Sequence, residues 1–221
     1  FEKMLYDNVQ FILLLSKYCK VINEDYFTKK LSQTIKFLNK EFLNKDNLLG
    51  SAFDADSEGE EGKYYVYNYE EINNINNIND YFELDPKGNW ENKTILIEKK
   101  IAPKEILEEL LTIRSKKKKP FFDSKTQLDL NCLWISALIS AHDILPQNNY
   151  LKLAEEFYSR IEEKYINNNI QHSYSKETVF LEDYAFLINA LNDLSDKTMN
   201  FKYKDQARKL CTEVILKFYI D

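Results

Sequence analysis

Residues that could do chemistry fall in two kinds of place. The first is DADSEGEEG at 54–62, which sets acids around two glycines. Asp54, Asp56, Glu58 and Gly59 match positions 1, 3, 5 and 6 of a calcium-binding loop. Position 12 should be a bidentate glutamate, but it is Tyr65, inside the strand-like KYYVY. No metal is therefore expected. Two readings stay open: a solvated acidic turn, or a loop whose glycines aim its acids at a ligand. The second kind of place is the start of an apolar segment. Glu182, Asp183 and Tyr184 stand at one such start, Asp7 and Asn8 at another, and Asp123, Lys125 and Asn131 around a third. Two carboxylates can share acid–base work if burial and like-charge proximity separate their pKa values. Glu182 and Asp183 project about 100° apart on a helix, so only one can point fully inward. The alternative is purely structural, because a first-turn carboxylate stabilises a helix by about 0.3–1 kcal/mol. His142 falls late on its segment, where a positive ring suits the helix dipole. His172 lies in a loop and is the one candidate histidine for proton transfer.

The elements that would position these residues are helices. The 221-residue chain has only 4 glycines and 4 prolines. Residues 1–20 are apolar on most sides, whereas 26–43 carry one stripe of Phe27, Leu31, Ile35, Leu38 and Phe42. The alternation returns at 130–145 and 150–165, and again at 180–194 and 203–218. Ala137, Leu138, Tyr150, Ala154 and Ile161 recur 53 positions later as Ala190, Leu191, Tyr203, Ala207 and Val214. Leu13, Leu14 and Tyr26 fall in the same register 124 positions earlier. Such a repeat predicts three helical hairpins. In each, the helix that is apolar all round lies inside and its one-sided mate covers it, giving two concentric layers. The fold class expected is mainly α, a partial α/α toroid in one domain over 1–221. An insertion at about 46–128 should hold strands at Tyr64–Tyr67 and Thr94–Ile97. It should also hold a helix near 69–79 capped by Asn68 and Glu71, and another from Pro103 to Arg114. INNINNIND at 72–80 reads as compositional bias. The lysines at 116–119 suit the end of the second helix.

Composition narrows the function. Formal net charge is −6 and no face is obviously basic, which argues against nucleic acid as a partner. No apolar run nears the roughly 20 residues of a membrane span, so no membrane partner is expected. Cys19, Cys132 and Cys211 are scattered and read as buried, reduced thiols of a cytoplasmic protein. The chain opens without Met inside a helix-like pattern, which reads as a fragment.

Five strings occur in order: FEKMLYDN (1–8), DADSEGEEGKYYVY (54–67), GNWENKTIL (88–96), KPFFDSK (119–125) and FLEDYAFLINAL (180–191). Together they resemble the spermatogenesis-associated protein 20 / YyaL-like family. Its members carry a thioredoxin-like domain followed by a toroid similar to six-hairpin glycosidases and N-acylglucosamine 2-epimerases. The resemblance covers the toroid part and implies a thioredoxin-like domain in the full-length protein. Two departures stand out. The family's Pro-His before FEKMLYDN would precede Phe1, and its Trp-Asn-Gly is here Leu130-Asn131-Cys132. The resemblance implies a carbohydrate ligand, no cofactor, and epimerase- or glycosidase-like chemistry at inner-helix N-termini. The candidate catalytic residues are then Asp7, Glu182, Asp183 and His172. The candidate substrate-binding residues are Asn8, Asp54, Asp56, Glu58, Trp90, Asp123, Lys125, Asn131 and Tyr184, with Trp90 open to a packing role instead. The alternatives are a non-catalytic binding or scaffold module serving the thioredoxin-like domain, and an α-solenoid interaction protein.

Overall fold

A computed structural model describes residues 1–22, 24–166, 169–174 and 178–219. Along the chain the helices are α1 (Leu5–Val21), α2 (Asp25–Glu41), α3 (Tyr69–Ile72), α4 (Ile78–Tyr81), α5 (Lys104–Ser115), α6 (Leu128–His142), α7 (Tyr150–Ile161), α8 (Leu181–Thr198) and α9 (Phe201–Phe218). Two compact units divide these elements. One holds Met4–Ala52 and Asp123–Asp221; the other holds Phe1–Lys3 and Phe53–Phe122. Among the described residues no helix is long and apolar enough to cross a membrane.

The first unit is the three predicted hairpins: α1 with α2, α6 with α7, α8 with α9. Helix α6 packs on both α1 and α8, so the all-round apolar helices form one row. Its sequence explains its place. Leu128, Cys132, Trp134, Ile135, Leu138 and Ile139 point in several directions and all are buried. The covering helices bury one stripe each: Leu31, Ile35 and Leu38 on α2, and Tyr150, Ala154, Phe157 and Ile161 on α7. Removing such a side chain, as in Phe157→Ala, costs about 3–5 kcal/mol. Helix α1 departs from the expectation. Leu5, Val9, Ile12 and Leu15 are buried, but Phe11, Leu14, Tyr18 and Val21 are exposed at 45%, 63%, 40% and 82%. The reason is its place in the row, with α6 beside it on one flank. Of the cysteines only Cys132 is buried; Cys211 is exposed, and all three are free thiols.

The second unit has its own core of Tyr67, Ile72, Ile75, Ile78, Phe82, Ala102, Ile106 and Leu110. The isoleucines of INNINNIND recur every third residue and all enter this core, so the string is a packing pattern and not mere bias. Its helix is shorter than expected. Two single turns, α3 and α4, replace one helix, and Asn77 between them sits at φ +59°. The reciprocal cap of Asn68 and Glu71 is present, with Asn68 N–H donating to Glu71 Oε2 at 2.9 Å. The strands also differ. Tyr67 pairs with Thr94 as an isolated bridge, and Phe82–Glu83 pairs antiparallel with Ile97–Glu98.

Candidate acid–base site

The acidic loop resolves into a hairpin. Asp56–Ser57 pairs with Glu60–Glu61. The two turn residues Glu58 and Gly59 both have positive φ, +57° and +78°, the geometry a two-residue hairpin turn demands. The acids point to solvent, and Lys63 Nζ lies 2.9 Å from Glu60 and 3.4 Å from Glu58. Asp54 Oδ1 accepts from the Asp56 N–H at 3.1 Å, which closes the turn locally. Gly62 is fixed by packing, since a Cβ there would lie 2.5 Å from the Phe1 ring. Trp90, in the same unit, is half-buried with its ring edge-on to Phe1 at 4.9 Å.

A different cluster forms in the hairpin unit, where the loops before α6 and α8 meet. The strand-like backbones of Gln127 and Ser173 pair, and Leu128 N–H donates to His172 O at 2.8 Å. This pairing brings the His172 ring to the start of α8. Its Nδ1 lies 2.9 Å from Asp183 Oδ1, and Asp183 is fully buried. The other oxygen, Oδ2, accepts the Phe180 N–H at 2.9 Å. One carboxylate thus closes the first turn of α8 and holds the histidine. The Phe180 ring meets His172 edge-on at 4.9 Å. Because Nδ1 faces a carboxylate, it carries the proton in the neutral ring, and Nε2 then presents its lone pair. Gln127 Nε2 donates toward that nitrogen at 3.3 Å, a long contact. The Gln127 amide is oriented in turn by Ser51, whose hydroxyl lies 2.9 Å from Oε1.

Asp129 completes the cluster. Its Oδ1 is 4.0 Å from His172 Nδ1 and accepts the Leu130 N–H at 2.8 Å. Burial raises its carboxyl above the ordinary value, and the Asp183 charge adds to the rise. Burial likewise lifts the Cys132 thiol well above its usual range, so it stays a neutral apolar group. His172 and Asp129 keep 15% and 16% of their side chains exposed, so the pair can be reached. Asp129, His172 and Asp183 each offer a donor atom within 4.8 Å of the others. A divalent ion there would have to replace the hydrogen bond between His172 and Asp183.

The candidates from the sequence separate as follows. His172 and Asp183 come together, and Asp183, not Glu182, turns inward; Glu182 is exposed. Asn131 is buried with its amide committed to backbone, accepting from Leu49 N–H at 2.9 Å and donating to Leu49 and Gln127 carbonyls at 3.0 Å. Tyr184 points to α9 instead, where its hydroxyl donates to Glu213 at 2.5 Å. Asn8 donates back to Met4 O at 2.7 Å, and Asp7 beside it is exposed with no polar partner among the described residues. Asp123 Oδ1 accepts the Lys125 N–H at 3.1 Å in the loop before α6. Asp54, Asp56, Glu58 and Trp90 belong to the second unit. Sequence reasoning missed Asp129, Gln127 and Ser51. The 53-residue register contained one signal, since it maps Asp129 onto Glu182 in the same first turn.

No family model matches the chain. It is 25% identical to an uncharacterized protein of Caenorhabditis elegans, over 99% of this chain and 38% of that protein. It is 22% identical to spermatogenesis-associated protein 20 of Homo sapiens, over 95% of this chain and 35% of that protein. The chain is thus similar to spermatogenesis-associated protein 20 over nearly all of its length. It spans little more than a third of the length of these curated relatives. Among solved structures, a sugar epimerase from a ruminal bacterium superposes with a TM-score of 0.58 at 10% identity, covering 95% of this chain and 42% of that one. At that identity the likeness shows the fold alone, a row of helical hairpins of the toroid type.

Proposed function

We propose that the hairpin unit is a carbohydrate-active, acid–base domain in which His172 moves a proton at the carbon beside a sugar carbonyl. The observation that carries this reading is the 2.9 Å contact between His172 Nδ1 and the fully buried Asp183. A carboxylate so placed fixes the tautomer and stabilises the imidazolium that forms when Nε2 takes a proton. In the step itself the C–H bond breaks, its proton goes to Nε2, and its electron pair forms an enediolate. Return of the proton to the neighbouring carbon, with the hydroxyl proton passing between the two oxygens of the enediolate, isomerises the sugar, and His172 serves as the carbon base in both directions. The epimerase of like fold supports a sugar as the substrate class. Glycoside hydrolysis fits less well. It needs two free carboxyl groups about 5–10 Å apart, whereas both Asp183 oxygens are engaged and Asp129 lies in the same cluster.

The test is solvent exchange. The intact protein, incubated in D2O with a panel of aldoses, ketoses and N-acylhexosamines, should wash deuterium into the carbon next to the carbonyl. His172→Gln should lower that rate by at least about 100-fold while leaving the far-UV circular dichroism unchanged. If no sugar exchanges, or the variant exchanges as fast as the wild type, the reading fails. Sugar binding without exchange would instead mark a binding module.

A further inference from the structure

A cavity of about 320 Å³ is bordered by Thr126 and Tyr174, which lie one and two residues along the chain from Gln127 and His172, and its lining differs from the rest of the acidic chain. Lys45, Lys125 and Lys164 all border it, with Thr126, Tyr165 and Tyr174. Lys164 is held by Asp46 at 2.5 Å, and Lys125 is 3.9 Å from Asp123. Lys45 is exposed and has no carboxylate partner among the described residues. Three ammonium groups therefore face two carboxylates in a chain of net charge −6. Two hydroxyl-bearing residues of the lining are buried: Thr126 is 5% exposed and Tyr165 is 3% exposed. Asn44 donates to Thr126 at 2.7 Å, which fixes the hydroxyl in place. The cavity and the histidine share their framework. Thr126 precedes Gln127, whose amide contacts His172, and Tyr174 follows His172 by two residues. Two residues of extended chain reach about 7 Å, roughly the length of one monosaccharide.

We propose that this cavity receives the phosphate monoester of a phosphorylated monosaccharide whose reacting carbon lies against His172. The inference rests on the acid–base reading of His172 for the second half of that statement only. A phosphate dianion offers three acceptor oxygens to ammonium and hydroxyl donors, and lysine binds it as a compact point charge. The local positive potential also attracts such a substrate to a protein that otherwise repels anions. A neutral sugar would leave Lys45 without a counter-charge.

The experiment is calorimetric titration of the intact protein with mannose 6-phosphate, glucose 6-phosphate, their unphosphorylated parents, glucuronate and inorganic phosphate. At least one phosphosugar should bind about tenfold or more tighter than its parent, a difference of about 1.4 kcal/mol, and should weaken from 50 to 200 mM salt. The double variant Lys45→Ala, Lys125→Ala should lose that preference, while Lys152→Ala, an exposed lysine of α7, should keep it. The lysines of the double variant lie at the surface, and an unchanged melting temperature will verify the fold. Equal binding of phosphosugar and parent, preference for glucuronate, or a preference that survives in the double variant overturns the proposal. So does the failure of every sugar and of phosphate to bind. A lysine-dependent phosphosugar preference without deuterium exchange upholds the cavity's role and overturns the proton-transfer reading alone.

Discussion

Two acid-rich stretches of this molecule have opposite fates. Residues 54–63 carry five carboxylates in ten positions, yet these lie on a tight hairpin, open to water and partnered by one lysine. Residues 181–184 carry two, and one of them, Asp183, is fully buried against a histidine. Density of charge therefore marks a solvated turn, while a single desolvated carboxylate marks the candidate acid–base cluster. Water screens the first group and makes each acid nearly independent of its neighbours. Around Asp183 the medium is apolar, so every hydrogen bond and every neighbouring charge counts for more.

The sharpest break of this comparison is Asp183→Ala. It removes two hydrogen bonds to a charged group, worth about 1.5 kcal/mol each. Urea unfolding should show a loss of about 3 kcal/mol with an unchanged denaturant slope; a loss below 1 kcal/mol would make Asp183 no different from the exposed acids. Next is Gly62→Ala. There the acidic hairpin depends on backbone, not charge, because φ is +70° and the Phe1 ring blocks a methyl group. We expect a loss of about 2 kcal/mol, read as a lower denaturation midpoint.

A smaller effect separates Asp129 from the surface acids by pH. Its carboxyl is raised in the folded state, so its ionised form is disfavoured by folding. Its contribution to stability is complete below the ordinary aspartate value and is lost as pH climbs through the raised one. Asp129→Asn should therefore match the wild type near pH 3.5 and gain on it by pH 7 in thermal melts. A difference independent of pH would contradict the burial argument. Smallest of all is the triple change Asp54→Asn, Asp56→Asn, Glu61→Gln on the hairpin. It should move stability by less than about 0.5 kcal/mol per site. Millimolar calcium should not raise the melting temperature of the wild type, and a rise would revive the metal-loop pattern that Tyr65 interrupts.

Much of the fold could be read in advance because helices report their burial through local periodicity. Trp134 and Ile135 on α6, flanked by apolar neighbours on every side, could only be central, and Leu31, Ile35 and Leu38 could only face one way. The adjacent pair Glu182 and Asp183 also showed that no more than one of the two acids could turn fully inward. What remained hidden was everything joined across loops. The role of His172 depends on the pairing of Ser173 with Gln127, and Asn131, read as a ligand contact, has its amide on the Leu49 backbone.

The sequence by itself determined three helical hairpins, their inner and outer members, and the residue types available at the helix starts. These follow from side-chain spacing over one or two turns, where each residue's neighbours are known from its number. Only the tertiary structure decided which acid meets the histidine, that Asp129 and Gln127 join it, and that the conspicuous acidic loop is a solvated hairpin. The joining of Gln127 and Asp129 to His172 depends on contacts between segments about 45 residues apart, whose meeting no local period encodes and which only the packed helices bring about.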